Sequence, residues 1–233
     1  MKVIGFVRYN EKISYKEFFL RTPLLSPRSK SFANNKVSNS ELIYDLLFSF
    51  LLLLISHSII QILIFDFEIP NYFQSIFSIF FVYPLTSFFG NMARALWSLS
   101  DSIPQKIHNN PFRSRSLSEF WGLRWNLWIR DWLRTVIGNK DHPRALKNFK
   151  TFLISGIIHE LMINIPFYIY SGQALFGTMT LYFLIQYIGV QVDKQVPPRF
   201  EKCRRIILYL FIIVPSPLFV NKGFNFFLGF YNG

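Results

Sequence analysis

The sequence predicts an all-α protein: a polytopic transmembrane helical bundle of four or five spans, plus a Trp-rich amphipathic helix that is interfacial or re-entrant. Three observations carry this expectation. Hydrophobic residues make up 51% of the 233-residue chain and aromatics 19%, with 28 Phe. Only 16% of residues are charged, against about 25% in an average globular domain. Yet 25 Lys and Arg oppose 13 Asp and Glu, giving a net charge of +12. An ordinary soluble enzyme does not fit these numbers, and the apolar content excludes disorder. A nucleic-acid binder accounts for the charge but not for long apolar runs, so no nucleic-acid partner is expected. One Cys builds neither a disulfide framework nor a multi-Cys metal site.

A spanning helix needs about 20 mostly apolar residues. The first candidate covers residues 44–65, with FLLLLI at 50–55. The second, 73–89, is shorter and free of charge. The third, 151–170, is apolar except mainly for His159, Glu160 and Asn164. A fourth runs over 174–190. The fifth, 206–220, is interrupted by Pro215 and Pro217, which predicts a kink or partial insertion. Residues 1–30 lack the sustained apolar core of a signal peptide. The expected division is a basic cytoplasmic tail over 1–42 and a membrane domain over 43–233.

Charge location tests this partition. Of the 25 basic residues, 24 lie in 1–42, 90–150 and 191–205, whereas the connections 66–72 and 171–173 contain none. Basic loops are retained in the cytoplasm, which places the N-terminus and both long basic segments there. Much of the +12 is then a topology signal, with attraction to anionic membrane lipids added. Segment 90–150, with 11 basic and 4 acidic residues, is also the place for an anionic cytoplasmic ligand. Residues 23–39, rich in Ser, Asn and Lys, read as a tail before the first span.

Four of the five Trp fall at 121, 125, 128 and 132, offsets that share one face of a continuous helix. Ser116 and Glu119 have capping-box spacing at its start, and Gly138-Asn139 supplies a stop. Arg124, Arg130, Asp131 and Arg134 make it too polar to span, so it should lie at the interface, a depth Trp prefers. An anchoring helix explains the Trp stripe but not Asn126, an amide between two Trp.

His159 and Glu160 lie near the middle of the third span, where a charge costs roughly 3 kcal/mol on insertion scales. Ser155 is one turn before His159 on the same face. Gly156, one turn before Glu160, leaves room for a neighbouring helix or substrate chain. Helix cross-linking, proton or ion transport, and general-base catalysis by a His titrating near neutrality all fit. Transport relays use several intramembrane ionisable groups, and the other spans offer little beyond His57 and Asp45. The run His159-Glu160-Leu161-Met162-Ile163 lacks the second His of the zinc-protease motif, and no metal is expected. His57, between Ser56 and Ser58, reads as an interhelical packing residue. His108 and His142 read as solvated loop residues. Cys203, flanked by Lys202, Arg204 and Arg205, is placed for palmitoylation.

The run SLSEFWGLRWNLWIRD at 116–131, followed after a basic loop by FLISGIIHEL at 152–161, resembles the membrane-bound O-acyltransferase superfamily in its wax-synthase-like branch. The likeness covers about residues 91–195. It implies acyl transfer from acyl-CoA to the hydroxyl of a lipid or other hydrophobic alcohol, with acyl-CoA as co-substrate and no further cofactor. It implies His159 as the catalytic base and Asn126 as its polar partner, orienting the imidazole or donating to an oxyanion. Trp121 and Trp125 would wall the acyl-CoA site, and Arg113, Arg115, Arg124 and Arg130 are candidate phosphate contacts. The endoplasmic reticulum is the location the family implies. Leu123 stands where such enzymes commonly have Arg. The chain is also shorter than the usual member, as expected of a form truncated at its N-terminal side, a reduced relative or an inactive remnant. An inactive acyl-CoA- or lipid-binding relative and a transporter are the alternatives. The acceptor alcohol and the oligomeric state are not encoded in any motif.

Overall fold

A computed structural model describes residues 38–67, 69–98, 105–137 and 143–230. Most of the expected basic tail, the Gly138-Asn139 stop and His142 lie outside the described residues. Every described element is helical. Helix α1 (Asn39–Gln61) starts where Ser38 Oγ accepts the Glu41 N–H at 3.1 Å. It runs on through a wider π turn, Ile62–Asp66. Helix α2 (Asn71–Trp97) follows Pro70 and packs against α1. Arg94, 2% exposed, locks this hairpin by donating to Asp45 Oδ2 at 2.9 Å, while Lys106 reaches Asp45 Oδ1 at 2.8 Å. A buried Arg is tolerable because its charge is paired and hydrogen-bonded.

The Trp-rich segment holds helix α3 (Leu117–Glu119), a π turn (Phe120–Arg124) and helix α4 (Leu127–Ile137). The long rod beyond it is continuous: α5 (Arg144–His159), a π turn (Glu160–Asn164) and α6 (Ile165–Ser171). Helix α7 (Thr178–Gln195) packs along α5. Helices α8 (Glu201–Ile213), α9 (Ser216–Phe219) and α10 (Lys222–Phe227) complete the described chain. The main core joins Leu117, Phe152, Tyr182, Phe183, Leu208 and Phe219, so α3, α5, α7, α8 and α9 share one interior.

Among the described residues, three helices are long and apolar enough to cross a membrane: Asn39–Asp66, Asn71–Trp97 and Arg144–Ser171. These match the first three expected spans and define an integral membrane protein. The fourth expected span is the 18-residue α7, about 27 Å long at 1.5 Å per residue. It carries Gln186 and Asp193 at fully buried positions, so it serves the bundle interior rather than meeting the apolar standard of a span. The fifth is not one helix. Pro215 has no N–H to give Phe211 four residues back, so α8 stops, and Gln186 Nε2 donates to the released Phe211 carbonyl at 2.5 Å.

Gly156 sets the α5–α7 approach. A Cβ there would lie 2.6 Å from Thr180 Cα, so the glycine admits a neighbouring helix. Glu160 meets the start of α7, where Oε1 accepts the Thr180 N–H at 3.0 Å, a favourable place for a carboxylate. Its Oε2 accepts from the buried Asn164 amide at 2.6 Å, and Asn221 donates to Asn164 Oδ1 at 3.2 Å. His57 packs its ring on Phe230 and Phe81, with centroids 4.9 and 6.0 Å away.

The Trp stripe does not lie on one continuous helix. Ser116 caps the start as its spacing predicts, accepting the Glu119 N–H at 3.1 Å. The helix then breaks at Trp125, which is extended, and at Asn126, whose φ is +39°. The cause is distant in sequence. Residues 105–110 dock their backbone here: Asn109 N–H donates to Arg124 O and Leu127 N–H to Ile107 O, both at 2.8 Å. Trp128 adds its indole N–H to Gln105 O at 2.9 Å.

Candidate active site

A cavity of about 760 Å³ lies between α2, the Trp segment, α5, α7 and α8. Along α5 it is lined by Arg144, Lys147, Asn148, Thr151, Phe152, Ser155 and His159. These positions recur every three or four residues, so they form one stripe of the helix. The stripe runs from two cations to one imidazole over roughly 22 Å. Aromatics surround the His159 end, with Phe183 and Phe219 at ring-centroid distances of 4.7 and 5.3 Å.

His159 is held in one tautomer. Its Nδ1 lies 2.7 Å from the backbone carbonyl oxygen of Ser155. A carbonyl only accepts, so Nδ1 carries the proton and Nε2 has a bare lone pair. Ser155 therefore orients the ring through its backbone, not its hydroxyl. Asn126 lines the same cavity, but no hydrogen bond joins its side chain to His159. Its Oδ1 instead accepts the Ile129 N–H at 3.3 Å, capping α4 and leaving the NH₂ group as the part able to serve a ligand. Asn tolerates the left-handed backbone better than most residues.

Trp121 and Trp125 are both wall residues. Trp121 donates its indole N–H to Gln186 Oε1 at 3.2 Å, so the amide that satisfies Phe211 also anchors the indole. Trp125 stacks on Phe120 at 5.3 Å and meets the His108 ring at 4.4 Å.

Of the four Arg expected to meet phosphate, only Arg130 lines the cavity. Its guanidinium pairs with Asp131 and donates to Gly122 O at 2.8 Å. Arg124 is committed elsewhere, to Glu119 at 2.7 Å and to the Asn109 and Asn110 carbonyls. Arg113 and Arg115 are exposed and off the cavity. The cations that do line it with Arg130 are Arg134, Arg144, Lys147 and Lys194. The α5 spacing made Arg144 and Lys147 findable, whereas Lys194 arrives only through the α5–α7 packing. Burial followed by the nearby Arg130 charge lowers the Arg134 pKa, with Asp131 partly opposing. Lys194 is lowered by burial, then by Arg144, with Asp193 opposing. Like charges crowded in this way are relieved by an anion.

Two carboxylates brace the wall. Burial raises the Glu119 pKa, but the Arg115 amide and Arg124 outweigh it and hold the group below its ordinary value. Asp193 is likewise raised by burial and brought down further by Arg204 and Ser118. The Arg204 guanidinium reaches both Asp193 oxygens, at 2.8 and 2.9 Å. Leu123 is exposed and outside the cavity. No group of three His, Cys, Asp or Glu able to hold a metal occurs among the described residues.

His108 is not a solvated loop residue. It is 7% exposed, and burial pushes its pKa down to about 3. Its position in a polar-looking loop gave no sign of this, because the burial comes from docking against α2 and the Trp segment.

A helical membrane protein with an imidazole and an amide on one cavity is the class this geometry defines. Residues 104–185 match the model of the membrane bound O-acyl transferase family. That segment contains both motifs, at 116–131 and 152–161, and the match is to the superfamily that they resemble. The chain is 31% identical over 99 residues to acyl-CoA–sterol O-acyltransferase 1 of Arabidopsis thaliana, covering 38% of this chain and 28% of the relative. It is 28% identical over 140 residues to probable long-chain-alcohol O-fatty-acyltransferase 9 of the same plant, covering 49% and 40%. Probable long-chain-alcohol O-fatty-acyltransferase 7, also from Arabidopsis thaliana, is 28% identical over 148 residues, covering 58% and 41%. The chain thus spans between 28% and 41% of these relatives' lengths. No solved structure matches it.

Proposed function

We propose that this protein transfers an acyl chain from acyl-CoA to the hydroxyl of a hydrophobic alcohol, with His159 as general base. The observation that carries the reading is the His159 ring: Nδ1–H is spent on Ser155 O, and Nε2 is left bare at the aromatic end of a cavity whose other end is cationic. The CoA phosphates dock among Arg130, Arg134, Arg144, Lys147 and Lys194 on the cytoplasmic side, since guanidinium and ammonium groups pair well with phosphate. The thioester lies along the α5 stripe, and the acyl chain lies among Phe183, Phe219 and the apolar residues of α2 and α8. The names of the relatives point to a long-chain alcohol or sterol as acceptor.

In the reaction, Nε2 takes the hydroxyl proton while the alcohol oxygen attacks the thioester carbonyl carbon. The Asn126 NH₂ donates to the oxyanion that develops. As the C–S bond breaks, the imidazolium returns its proton to the CoA sulfur, leaving an ester and CoA-SH. Glu160 stays a structural carboxylate at the α7 start.

The test is radiolabelled acyl-CoA with protein in membranes and a panel of long-chain alcohols and sterols. Ester formation that disappears in His159→Ala supports the reading. Acyl-CoA binding without ester from any acceptor overturns it in favour of a non-catalytic binder, and full turnover by His159→Ala removes the base.

A further inference from the structure

The proposed function leaves His108 without a role, yet its side chain bonds the Asn126 turn directly. The bonds on this imidazole can all be assigned. The Asn126 N–H donates to His108 Nδ1 at 3.2 Å, so Nδ1 is the unprotonated nitrogen. Nε2 then carries the hydrogen and donates it to Thr86 Oγ1 at 2.8 Å. The Thr86 hydroxyl passes its own hydrogen to Val82 O at 2.6 Å, one turn back on α2. The chain of donors therefore runs from the Trp segment through the ring into α2, with no position left over.

The backbone around it explains why a side chain is needed. Leu127 N–H and Asn109 N–H both find carbonyl partners across the 105–110 and 124–127 segments. Between them, the N–H of the left-handed Asn126 is bonded to a side chain of the opposing segment and not to a backbone carbonyl. An unmet buried N–H costs about 1–3 kcal/mol. His108 supplies the acceptor, and its ring also packs against Trp125 at 4.4 Å and Tyr83 at 5.2 Å. Both of those neighbours line the cavity. With burial holding its pKa at about 3, the ring is neutral at physiological pH, as an acceptor must be.

We propose that His108 is a positioning residue: locked as the Nε2–H tautomer between Thr86 and the Asn126 amide, it fixes the left-handed turn that presents Asn126 and Trp125 to the cavity. This deepens the acyl-transfer reading and rests on it for its kinetic consequence. His108 touches no reacting atom; it acts through Asn126.

Two substitutions separate the two bonds. The Oδ1 of His108→Asn sits near the Nδ1 position and keeps an acceptor for the Asn126 N–H. His108→Gln reaches the Nε2 position, keeps a partner for Thr86 and leaves the Asn126 N–H unmet. Steady-state ester formation is expected to show His108→Gln lowering kcat about 10- to 100-fold while the acyl-CoA KM stays within about twofold, because the cationic end is untouched. His108→Asn is expected to recover most of the loss. A second readout needs no turnover: ¹⁵N NMR of His- and Asn-labelled protein in nanodiscs, with His108→Asn and Asn126→Gly assigning the signals. It should show His108 protonated at Nε2, and an Asn126 amide that exchanges slowly in wild type and His108→Asn but fast in His108→Gln. Equal losses in both variants, wild-type turnover in His108→Gln, or a proton on Nδ1 overturns the proposal. If wild type makes no ester at all, the acyl-transfer reading falls. The positioning proposal is then decided by the tautomer and the Asn126 exchange rate.

Discussion

His159 lines the cavity and His108 is buried behind its wall, against Trp125 and Tyr83, and both lie against aromatic rings. They differ in one nitrogen. His108 has both ring nitrogens committed, one to a donor and one to an acceptor. His159 has one committed to Ser155 O and one open to the cavity. On the proposed function, it is the spare lone pair and not burial that separates a chemical histidine from a structural one. The two rings are consequently expected in opposite tautomers, each dictated by a backbone group that cannot change role.

The largest expected effect is at the open nitrogen. His159→Ala should lower kcat by about 10²–10⁴, the usual worth of general-base assistance, with little change in acyl-CoA KM. Full turnover in that variant would erase the distinction between the two rings. Next is the amide between them. Asn126→Gly keeps a residue at ease with φ +39° but removes the NH₂, and should cost about 10²–10³ in kcat, as loss of one oxyanion donor does. Because glycine preserves the turn, the His108 bond to the backbone should survive, which an Asn126 exchange measurement on a variant of neighbouring Leu127 would not test as cleanly. A smaller effect belongs to the cationic end. Neutralising Arg144 and Lys194 together should raise acyl-CoA KM by about three- to tenfold at low salt and leave kcat alone, given about 0.2–1 kcal/mol per exposed ionic contact. The difference should shrink as salt is added.

The smallest effect is a slope. The folded-state pKa of His108, about 3, lies below the roughly 6.5 of an unfolded His, so the unfolded chain binds the extra proton between those values. The stability contributed by the neutral ring is complete above about pH 6.5 and is lost as pH falls towards 3. Thermal melts over that window should show His108→Asn losing close to one proton's worth of pH dependence, while His159→Ala retains the His108 slope. An unchanged slope in His108→Asn would mean the ring is accessible to protons in the fold.

Much of the helical framework was legible because periodicity and apolar length are local properties. The first three spans follow from runs that contain few charges, and Ser116 caps where its spacing to Glu119 says it should. The fourth and fifth were harder, because α7 mixes apolar residues with Gln186 and Asp193 whose partners come from other elements. The Trp stripe misled for a related reason. Offsets of four, three and four describe a helix only if no outside backbone competes, and residues 105–110 do compete. His108 looked solvated because Gln105, Lys106, Asn109 and Asn110 give its loop a polar composition. Arg124 looked free to bind phosphate because its partner Glu119 was read as a cap.

By itself, then, the sequence determined an all-α membrane protein and the placement of its basic residues, while the likeness of two motifs to a family singled out Asn126 and His159 as candidates. The first two depend on composition and on local apolar length, which chain neighbours control. Tertiary structure alone decided that Asn126 sits in a broken, left-handed turn, and that Lys194 joins Arg144 at the cavity. It also decided that one histidine keeps a free lone pair while the other has none. The physical reason is common to all three. Hydrogen-bond vacancy and charge crowding are properties of what surrounds a group, and here the surroundings come from segments tens of residues away.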